Sequence, residues 1–388
     1  MYGHRTGYQW NAYDPPTYPC PQPGLTMRSA TMRTLWKTTI VLLSVALLIV
    51  SCGGSGGGGG SSDEGGGSAA AQDCTDKTIR LSFIASDTST WAKASEEFKE
   101  RTESETDGRI TVELYSGGQL ASGNQQAELQ QVQQGVIDAL WVSPIILALY
   151  ADPRFDIYSL PFLFPDHEVA NEVIDGEVGE LTEGWLREAG FEPLGWGVNG
   201  FRQVTNDERP IRTPADMEGL KFRVAGTDLF KTVFSELGAE PVTMSFGEVF
   251  TALQQGAIDG QENPLSIIYS SSLQDVQSHV SLWNYSYDPL VLAMNQGAFD
   301  GLCAEDQEVL KTAAQAGGDL QRELTIEEDE SLPAQLEAEG MEVVPTEDID
   351  VEAFRDLIVE PIYTQWEEII GADNLQMMVD AVEQAEGS

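Results

Sequence analysis

The chain has 388 residues, 41% hydrophobic and 22% charged, with 63 acidic residues against 21 basic ones and a net charge of −42. This length and apolar fraction exclude a wholly disordered chain and are enough for two ordinary domains. So acidic a surface repels nucleic acid and anionic lipid headgroups, which argues against a nucleic-acid-binding protein. Only seven of the cations are lysine. That composition is common in proteins that work in concentrated salt, although an acidic exported protein from ordinary media is the alternative.

The N-terminus has the pattern of an export signal. Residues 1–26 are rich in proline and have no hydrophobic periodicity, which predicts a disordered segment or a start codon assigned too far upstream. Residues 27–51 combine three basic residues with the apolar run Ile40–Val50, which is too short to span a bilayer but suits a signal peptide. Residues 52–76 are mostly Gly and Ser at first, which predicts a flexible tether.

The apolar run ends in Ile49-Val50-Ser51-Cys52, which resembles the bacterial lipobox. The resemblance implies that Cys52 is lipidated and becomes the first residue of an exported, membrane-anchored protein. The alternative is an ordinary signal peptide in which Cys52 has no special role.

From residue 78 onward, apolar runs alternate with helical patterns, which predicts an α/β architecture with largely parallel sheets. The predicted strands are Ile79–Ala85, Ile110–Tyr115, Val136–Val142, Phe191–Trp196 and Leu220–Val224. The predicted helices include one capped by Thr90, one over Glu128–Gln134, two within Asp166–Ala189, one over Asp228–Leu237, one opened by a capping box at Ser245 and a long acidic tract from about Ala304 to Glu339.

An internal similarity links two segments in which a helix ends at glycine and runs into a short strand with an aspartate. The segments are Leu129–Asp138 and Leu253–Asp259. Either the similarity is only the helix–glycine–strand pattern that is common in α/β folds, or the chain forms two similar lobes. Two facing lobes would enclose one ligand site, because ligands of open α/β sheets bind beyond the carboxyl ends of the strands.

Motifs that resemble catalytic or cofactor sites lack the context that those sites need. The GxSxG match at Gly53–Gly57 lies in a polyglycine stretch without a strand-to-helix turn. The GxGxxG match at Gly195–Gly200 is followed by the β-rich Phe201–Thr205, where a nucleotide site needs a helix N-terminus. The three histidines lie outside any HExxH motif, and the sequence has no CxxC pair. The sequence therefore predicts no enzyme, no metal site and no cofactor.

Five sequence blocks between residue 78 and the C-terminus carry a family resemblance. The blocks are Ser159–Phe164, Asn199–Asn206, Gly219–Val224, Phe246–Gln254 and Asp259–Pro264. With them the chain resembles the solute-binding proteins of TRAP transporters, the group that binds C4-dicarboxylates, sialic acid and related organic acids. The resemblance implies capture of a small carboxylate and its delivery to the small and large integral-membrane subunits of a sodium-driven transporter. The alternative is a receptor that presents its ligand to a membrane sensor kinase.

The resemblance also implies a two-lobed type II periplasmic-binding-protein fold with a long C-terminal helical tract, which closes on its ligand. Lobe one would comprise residues 77–199 and 289–330, and lobe two residues 200–288 and 331–388. The hinge strands would then cross near Asn199 and Asp288.

Three polar side chains are the main ligand-binding candidates that the resemblance implies. Arg223 would pair with the ligand carboxylate, whose geometry the planar guanidinium matches with two hydrogen bonds. Arg202 and Asn263 would also line the cleft. From the residues alone, the alternatives are a structural ion pair for Arg223, bracing of the hinge for Arg202, and a turn before Pro264 for Asn263.

Further contacts are expected around the same cleft. By alignment with the family, Thr90 and Ser143 would supply polar contacts from the opposite lobe, and Phe246 is an aromatic candidate. The run Trp141-Val142-Ser143 lacks the acidic ligand contact found in sialic-acid binders, which argues against sialic acid itself.

Cys74 and Cys303 are the intramolecular pair that leaves Cys52 for lipidation, because Cys20 lies upstream of the predicted cleavage point. Export permits a disulfide. In the fold that the resemblance implies, the strand after the crossover ends near the start of the first strand, which would bring the two thiols together. Two unpaired thiols are the alternative.

Overall fold

A computed structural model describes residues 74–387. The predicted signal peptide, Cys52 and the tether up to residue 73 lie outside the described residues. The strands are β1 Lys77–Ser82, β2 Ile110–Tyr115, β3 Ala139–Val142, β4 Phe191–Asn206, β5 Lys221–Val224, β6 Glu240–Thr243, β7 Gly260–Pro264, β8 His279–Ser281, β9 Tyr287–Asn295 and β10 Glu342–Val344. The α-helices are α1 Thr90–Glu105, α2 Gln125–Gln133, α3 Pro144–Tyr150, α4 His167–Ile174, α5 Glu177–Glu188, α6 Asp228–Glu236, α7 Phe246–Gln254, α8 Leu265–Ser270, α9 Gln296–Asp300, α10 Ala304–Ala338, α11 Val351–Ile370 and α12 Ala372–Glu386.

The strands form two sheet sections that share β4. The order is β2-β1-β3-β9-β4-β7-β5-β6, and β8 pairs with both β4 and β10. Strands β2, β1 and β3 are parallel, as are β7, β5 and β6. Strand β9 runs antiparallel to both β3 and β4, and β4 runs antiparallel to β7. Two parallel sections therefore meet at a pair of antiparallel strands.

Strand β4 is longer than the sequence predicted, and it connects the two sections. Its first part, from Phe191 to Phe201, pairs with β9, and its second part, from Arg202 to Asn206, pairs with β7. The register shifts between Val198 and Gly200, where Gly200 has φ +109°, a conformation that L side chains rarely adopt. The sequence predicted that the strand ends at Trp196, before Gly197 and Gly200. The chain instead continues through both glycines as one buried strand.

Helix α10 packs across α1 and β4, and two glycines allow this close approach. A Cβ atom at Gly318 would lie 2.2 Å from the carbonyl oxygen of Trp196, and one at Gly317 would lie 2.7 Å from that of Ala94. Gln321, buried on the same helix, hydrogen-bonds to the backbone N–H and carbonyl of Val198. The long acidic tract predicted from the sequence is therefore a packed helix that supports β4.

The C-terminal helices pack on four earlier elements of the fold. Helix α11 packs on α6 and on the 3-10 helix Pro153–Tyr158, while α12 packs on α4 and α5. These contacts join residues 351–386 to elements of both predicted lobes, and the lobe boundaries stay a prediction. Of the helices within residues 74–387, none combines the length and apolar character needed to cross a membrane.

Local details correct two expectations. The N-cap of α1 is Ser89, whose side chain accepts a hydrogen bond from the N–H of Ala92, and Thr90 is the first helical residue. The strand predicted over Val136–Val142 begins only at Ala139. Val136, at 49% exposure, lies in the turn that follows α2. The predicted capping box at Ser245 is present, with Glu248 as its partner.

Cys74 and Cys303 are joined by a disulfide with an S–S distance of 2.07 Å. Cys74 lies just before β1, and Cys303 is the N-cap position of α10. The bond therefore ties the first described residue to the helix that supports β4.

Candidate functional site

A cleft lies where the carboxyl ends of β3, β5 and β7 approach the paired strands β4 and β9, at Arg202 and Asp288. The space between the atoms along it, including the part open to solvent, amounts to about 420 Å³. The side chains with charged or strongly polar groups that line it are Gln125, Ser143, Asn199, Arg202, Arg223, Asn263 and Asp288. Arg202 and Arg223 are each only 3% exposed, so the cleft is closed over both guanidinium groups.

Arg223 is a buried cation without a carboxylate partner. It stands on β5, next to the carboxyl end, and donates from Nε and Nη2 to the carbonyl oxygen of Met244, at 3.2 and 3.1 Å. Within residues 74–387, no carboxylate oxygen lies within 4.0 Å of it. Burial lowers the pKa of Arg223 to about 10, although the more distant Glu262 opposes this shift. The group thus stays charged at neutral pH, and its charge is not neutralised at contact distance.

Arg202, in contrast, is fully engaged by protein groups. Its Nε and Nη2 contact both carboxylate oxygens of Glu262, and its Nη1 donates to Oδ2 of Asp288 at 2.8 Å. Nη2 also donates to Oδ1 of Asn263 at 3.2 Å. Burial disfavours the charge, but the two carboxylates outweigh it and raise the pKa of Arg202 above its ordinary value. These contacts link β4, β7 and β9.

Asp288 on β9 is the second anion of this network. It accepts hydrogen bonds from Ser143 Oγ at 2.5 Å and from Asn199 Nδ2 at 2.8 Å, besides that from Arg202. Burial raises the pKa of Asp288 against the effect of these donors. Asn199 in turn accepts from the indole N–H of Trp91 at 3.1 Å. The hydroxyl and amide groups on this side of the cleft are therefore used to hold Asp288.

The remaining predicted site residues differ in their positions. Phe246, the first residue of α7, lines the cleft with its ring centroid 5.8 Å from the Arg223 guanidinium carbon. Asn263 lines it too, and its Nδ2 donates to Gln261 Oε1. Thr90 does not line the cleft; it is fully buried, and its hydroxyl accepts from Gln321 Nε2 at 3.3 Å. The structure thus brings five of the six predicted residues together.

Sequence reasoning missed two residues of the cleft, Asp288 and Gln125, and the buried Glu262 that contacts Arg202. Glu262 and Asp288 were not recognised as partners of Arg202, although Asp288 stands alone as an acid in the apolar run of β9. That isolated charge is a signal, because an acid on a buried strand needs a partner. Gln125 at the start of α2 also lines the cleft, and nothing in its sequence context indicates this role.

The arrangement is suited to binding an anion rather than to covalent chemistry. Arg202 is compensated by Glu262 and Asp288, whereas Arg223 retains its charge for a ligand. A buried guanidinium that lacks a counter-ion favours a bound carboxylate strongly. The described group with ligand atoms close enough to hold a metal ion is Cys74, Cys303 and Asp306, and both of its thiols are in the disulfide.

Comparisons with known proteins match most of the described residues. The model of the family "Bacterial extracellular solute-binding protein, family 7" matches residues 81–369. The 2,3-diketo-L-gulonate-binding periplasmic protein YiaO of Escherichia coli is 33% identical over 73% of this chain and 84% of its own.

Solved structures show the same fold. A TRAP periplasmic solute-binding protein from Ralstonia eutropha with bound (S)-2-acetolactate has a TM-score of 0.75 at 34% identity, over 79% of this chain and 99% of that one. The sugar-acid-binding protein of Advenella mimigardefordensis in complex with galactonate has a TM-score of 0.77 at 32% identity, over 81% and 100%. The two-lobed periplasmic-binding-protein fold expected from the sequence is confirmed. Members of this family are solute-binding receptors and not enzymes, as the sequence predicted.

Proposed function

We propose that this chain, which belongs to family 7 of the bacterial extracellular solute-binding proteins, captures a small organic acid and delivers it to a TRAP transporter. The observation that carries the proposal is Arg223, a buried guanidinium with no carboxylate within contact distance in the described part of the chain. A ligand carboxylate would supply the missing counter-charge. The acids named for the relatives differ among themselves, so the proposal is for small organic acids as a class. It is not limited to the C4-dicarboxylates and sialic acid of the family resemblance.

The site residues have distinct roles in this proposal. Arg223 binds the ligand carboxylate with the hydrogens that Met244 leaves free, and the ring of Phe246 lies beside it. Asn263 has one amide hydrogen beyond the one it donates to Gln261, which is available for a ligand oxygen. Ser143 acts by holding Asp288, and Thr90 lies outside the cleft, where it bonds to Gln321.

Closure of two lobes around the ligand fits the sharing of β4 by both sheet sections and its long pairing with β9. Bending of these strands would open the cleft. The contacts of Arg202 with Glu262 and Asp288 would hold the strands in position relative to one another. In the proposal, the lobes comprise residues 77–199 with 289–330 and residues 200–288 with 331–388. Neither the matched family nor the relatives support the alternative of a sensor-kinase receptor.

We also propose that the protein is anchored through a lipid on Cys52. The lipobox-like Ile49-Val50-Ser51-Cys52 and the glycine-rich segment after it support this anchor. Expression of the full chain in a bacterial host with an alkyne-labelled fatty acid tests it. Wild type should be labelled and stay with the membrane fraction, and Cys52→Ser should be unlabelled. Equal labelling of both proteins would refute the anchor.

The binding proposal is tested by calorimetry with a panel of small organic acids, on wild type and Arg223→Lys. Lysine keeps the charge but not the planar pair of donors, and a charged hydrogen bond is worth about 1.5–3 kcal/mol. We expect the Kd of Arg223→Lys to rise by about 10–100-fold. Arg101→Lys, at an exposed position on α1, is the matched control and should bind as wild type does. Unchanged affinity in Arg223→Lys, or no binding of any acid by wild type, would refute the proposal.

A further inference from the structure

The cleft holds one uncompensated positive charge. Arg223 has no carboxylate at contact distance within residues 74–387, while Arg202 is paired with both Glu262 and Asp288. The described groups around the cleft thus match one carboxylate of a ligand. A second ligand carboxylate would meet Asp288, which lines the cleft beside Arg202, and would be repelled by it.

Most polar side chains of the cleft are already satisfied by one another. Asp288 takes the hydrogens of Ser143 and Asn199, and Asn199 in turn accepts from Trp91. Beside Arg223, what remains for a ligand is Gln125, for which the described residues provide no side-chain hydrogen bond, and one amide hydrogen of Asn263. A ligand with many hydroxyl groups would therefore find few free partners here.

The rest of the lining is apolar. Ile145 and Ile146 come from α3, Ile267 from α8, Ile84 from the segment after β1 and Ala225 from the end of β5. Ile145 and Ile267 are almost completely buried, and Ile84 is half-buried. Such side chains favour hydrocarbon groups and penalise a charged or hydroxylated one that lacks a partner.

From this division between one cation and an isoleucine-lined wall, we infer that the cleft selects a small monocarboxylate with a short hydrocarbon tail and at most one further polar group. The inference rests on the proposed function, since it assumes that Arg223 binds a carboxylate. It specifies what the rest of the ligand is: neither a dicarboxylate nor a polyhydroxylated sugar acid.

Three four-carbon acids, which all have a carboxylate and a C2 hydroxyl, represent the three classes of ligand: a monocarboxylate with a hydrocarbon end, a dicarboxylate and a polyhydroxylated acid. They are 2-hydroxybutanoate, which ends in a methyl group, malate, which ends in a second carboxylate, and erythronate, which has hydroxyls at C3 and C4. We expect 2-hydroxybutanoate to have the lowest Kd of the three, by at least 10-fold, in calorimetry of the wild-type protein. The reason is that each methylene or methyl group buried against apolar side chains contributes about fourfold to affinity, whereas an unpaired carboxylate or hydroxyl loses its hydration.

The variant Ile84→Ser tests the wall itself, because Ile84 is half-buried and its change carries less risk to folding than one at Ile145. It should raise the Kd of 2-hydroxybutanoate by about 10-fold and leave that of malate nearly unchanged. Leu114→Ser is the matched control, since Leu114 is also partly buried against the same apolar cluster but does not line the cleft. It should leave the order and the ratios as in wild type.

The outcomes separate this inference from the proposed function. Binding of malate or erythronate as tight as that of 2-hydroxybutanoate, with dependence on Arg223 retained, overturns the selectivity and leaves carboxylate capture standing. Equal effects of Ile84→Ser and Leu114→Ser on the ratios also overturn it. If none of the three acids nor any other small carboxylate binds, the proposed function fails and the inference fails with it.

Discussion

Asp156 should make the stability of this protein depend on pH near neutrality. It is 3% exposed in the 3-10 helix Pro153–Tyr158, where its Oδ2 accepts from the indole N–H of Trp366 at 2.9 Å and its Oδ1 has no partner. Burial raises the pKa of Asp156 to about 7, with the Trp366 hydrogen bond opposing and the nearby Asp228 adding to the shift. The substitution Asp156→Asn removes the titration and keeps the shape and the acceptor for Trp366.

The sign and size of the effect follow from linkage. A carboxyl whose pKa is higher in the folded than in the unfolded chain favours folding while it is protonated, and that stability is lost as pH rises from about 4 through about 7. A shift of about three pKa units corresponds to about 4 kcal/mol in total. Between pH 5 and pH 8, the free energy of unfolding of wild type should therefore fall by about 2.5 kcal/mol relative to Asp156→Asn.

Urea unfolding of wild type and Asp156→Asn at pH 5 and pH 8, at constant ionic strength, measures this difference. Asp319→Asn, at an exposed position on α10, is the control for loss of one negative charge. A stability difference between wild type and Asp156→Asn that is the same at both pH values would refute the reasoning. It would mean that the carboxyl is protonated, or solvated, to the same extent in the folded and unfolded chain.

Four further results are expected. Arg202→Gln should lower the free energy of unfolding by about 3–5 kcal/mol, since it leaves Glu262 and Asp288 buried without their cation, and a change under 1 kcal/mol in urea unfolding would contradict this. Mass spectrometry of non-reduced peptides should find Cys74 joined to Cys303, and the double alanine variant should lose about 5 kcal/mol for a loop of 229 residues; two free thiols in wild type would disprove the pairing. Tm should rise from dilute buffer to 1 M NaCl, because the Debye length falls from above about 10 Å to about 3 Å and the repulsion among acidic residues is screened; melting curves that are flat or fall with salt would count against it. Saturating ligand should reduce the radius of gyration in solution scattering, and superimposable curves would contradict closure of the lobes.

The sequence was sufficient for the parts of the fold that depend on local pattern. The capping box at Ser245 and the strand at Ile110–Tyr115 were predicted correctly, because their signals lie within a few neighbouring residues. Strand β4 was predicted too short, because Gly197 and Gly200 are poor strand residues in isolation. Packing against α10 and pairing with β9 override that preference, and neither partner is visible locally.

The same contrast applies to the site. The blocks that carry the family resemblance placed Arg223, Arg202 and Asn263 in the cleft, as the structure does. They did not distinguish the free guanidinium from the paired one, since the partners of Arg202 come from 60 and 86 residues further along the chain. Thr90 was assigned by alignment to the cleft, but it is the buried first residue of α1, and its hydroxyl bonds to Gln321.

The disulfide has a consequence for how the protein responds to proteolysis outside the cell. It closes residues 74–303 into a covalent ring that contains both sheet sections except β10. A single cut in any surface loop of that ring leaves the two pieces joined, and the uncut segment from α10 onward remains packed on α1, α4, α5 and α6. On a non-reducing gel a nicked molecule should therefore migrate as one chain, and two fragments should separate only after reduction.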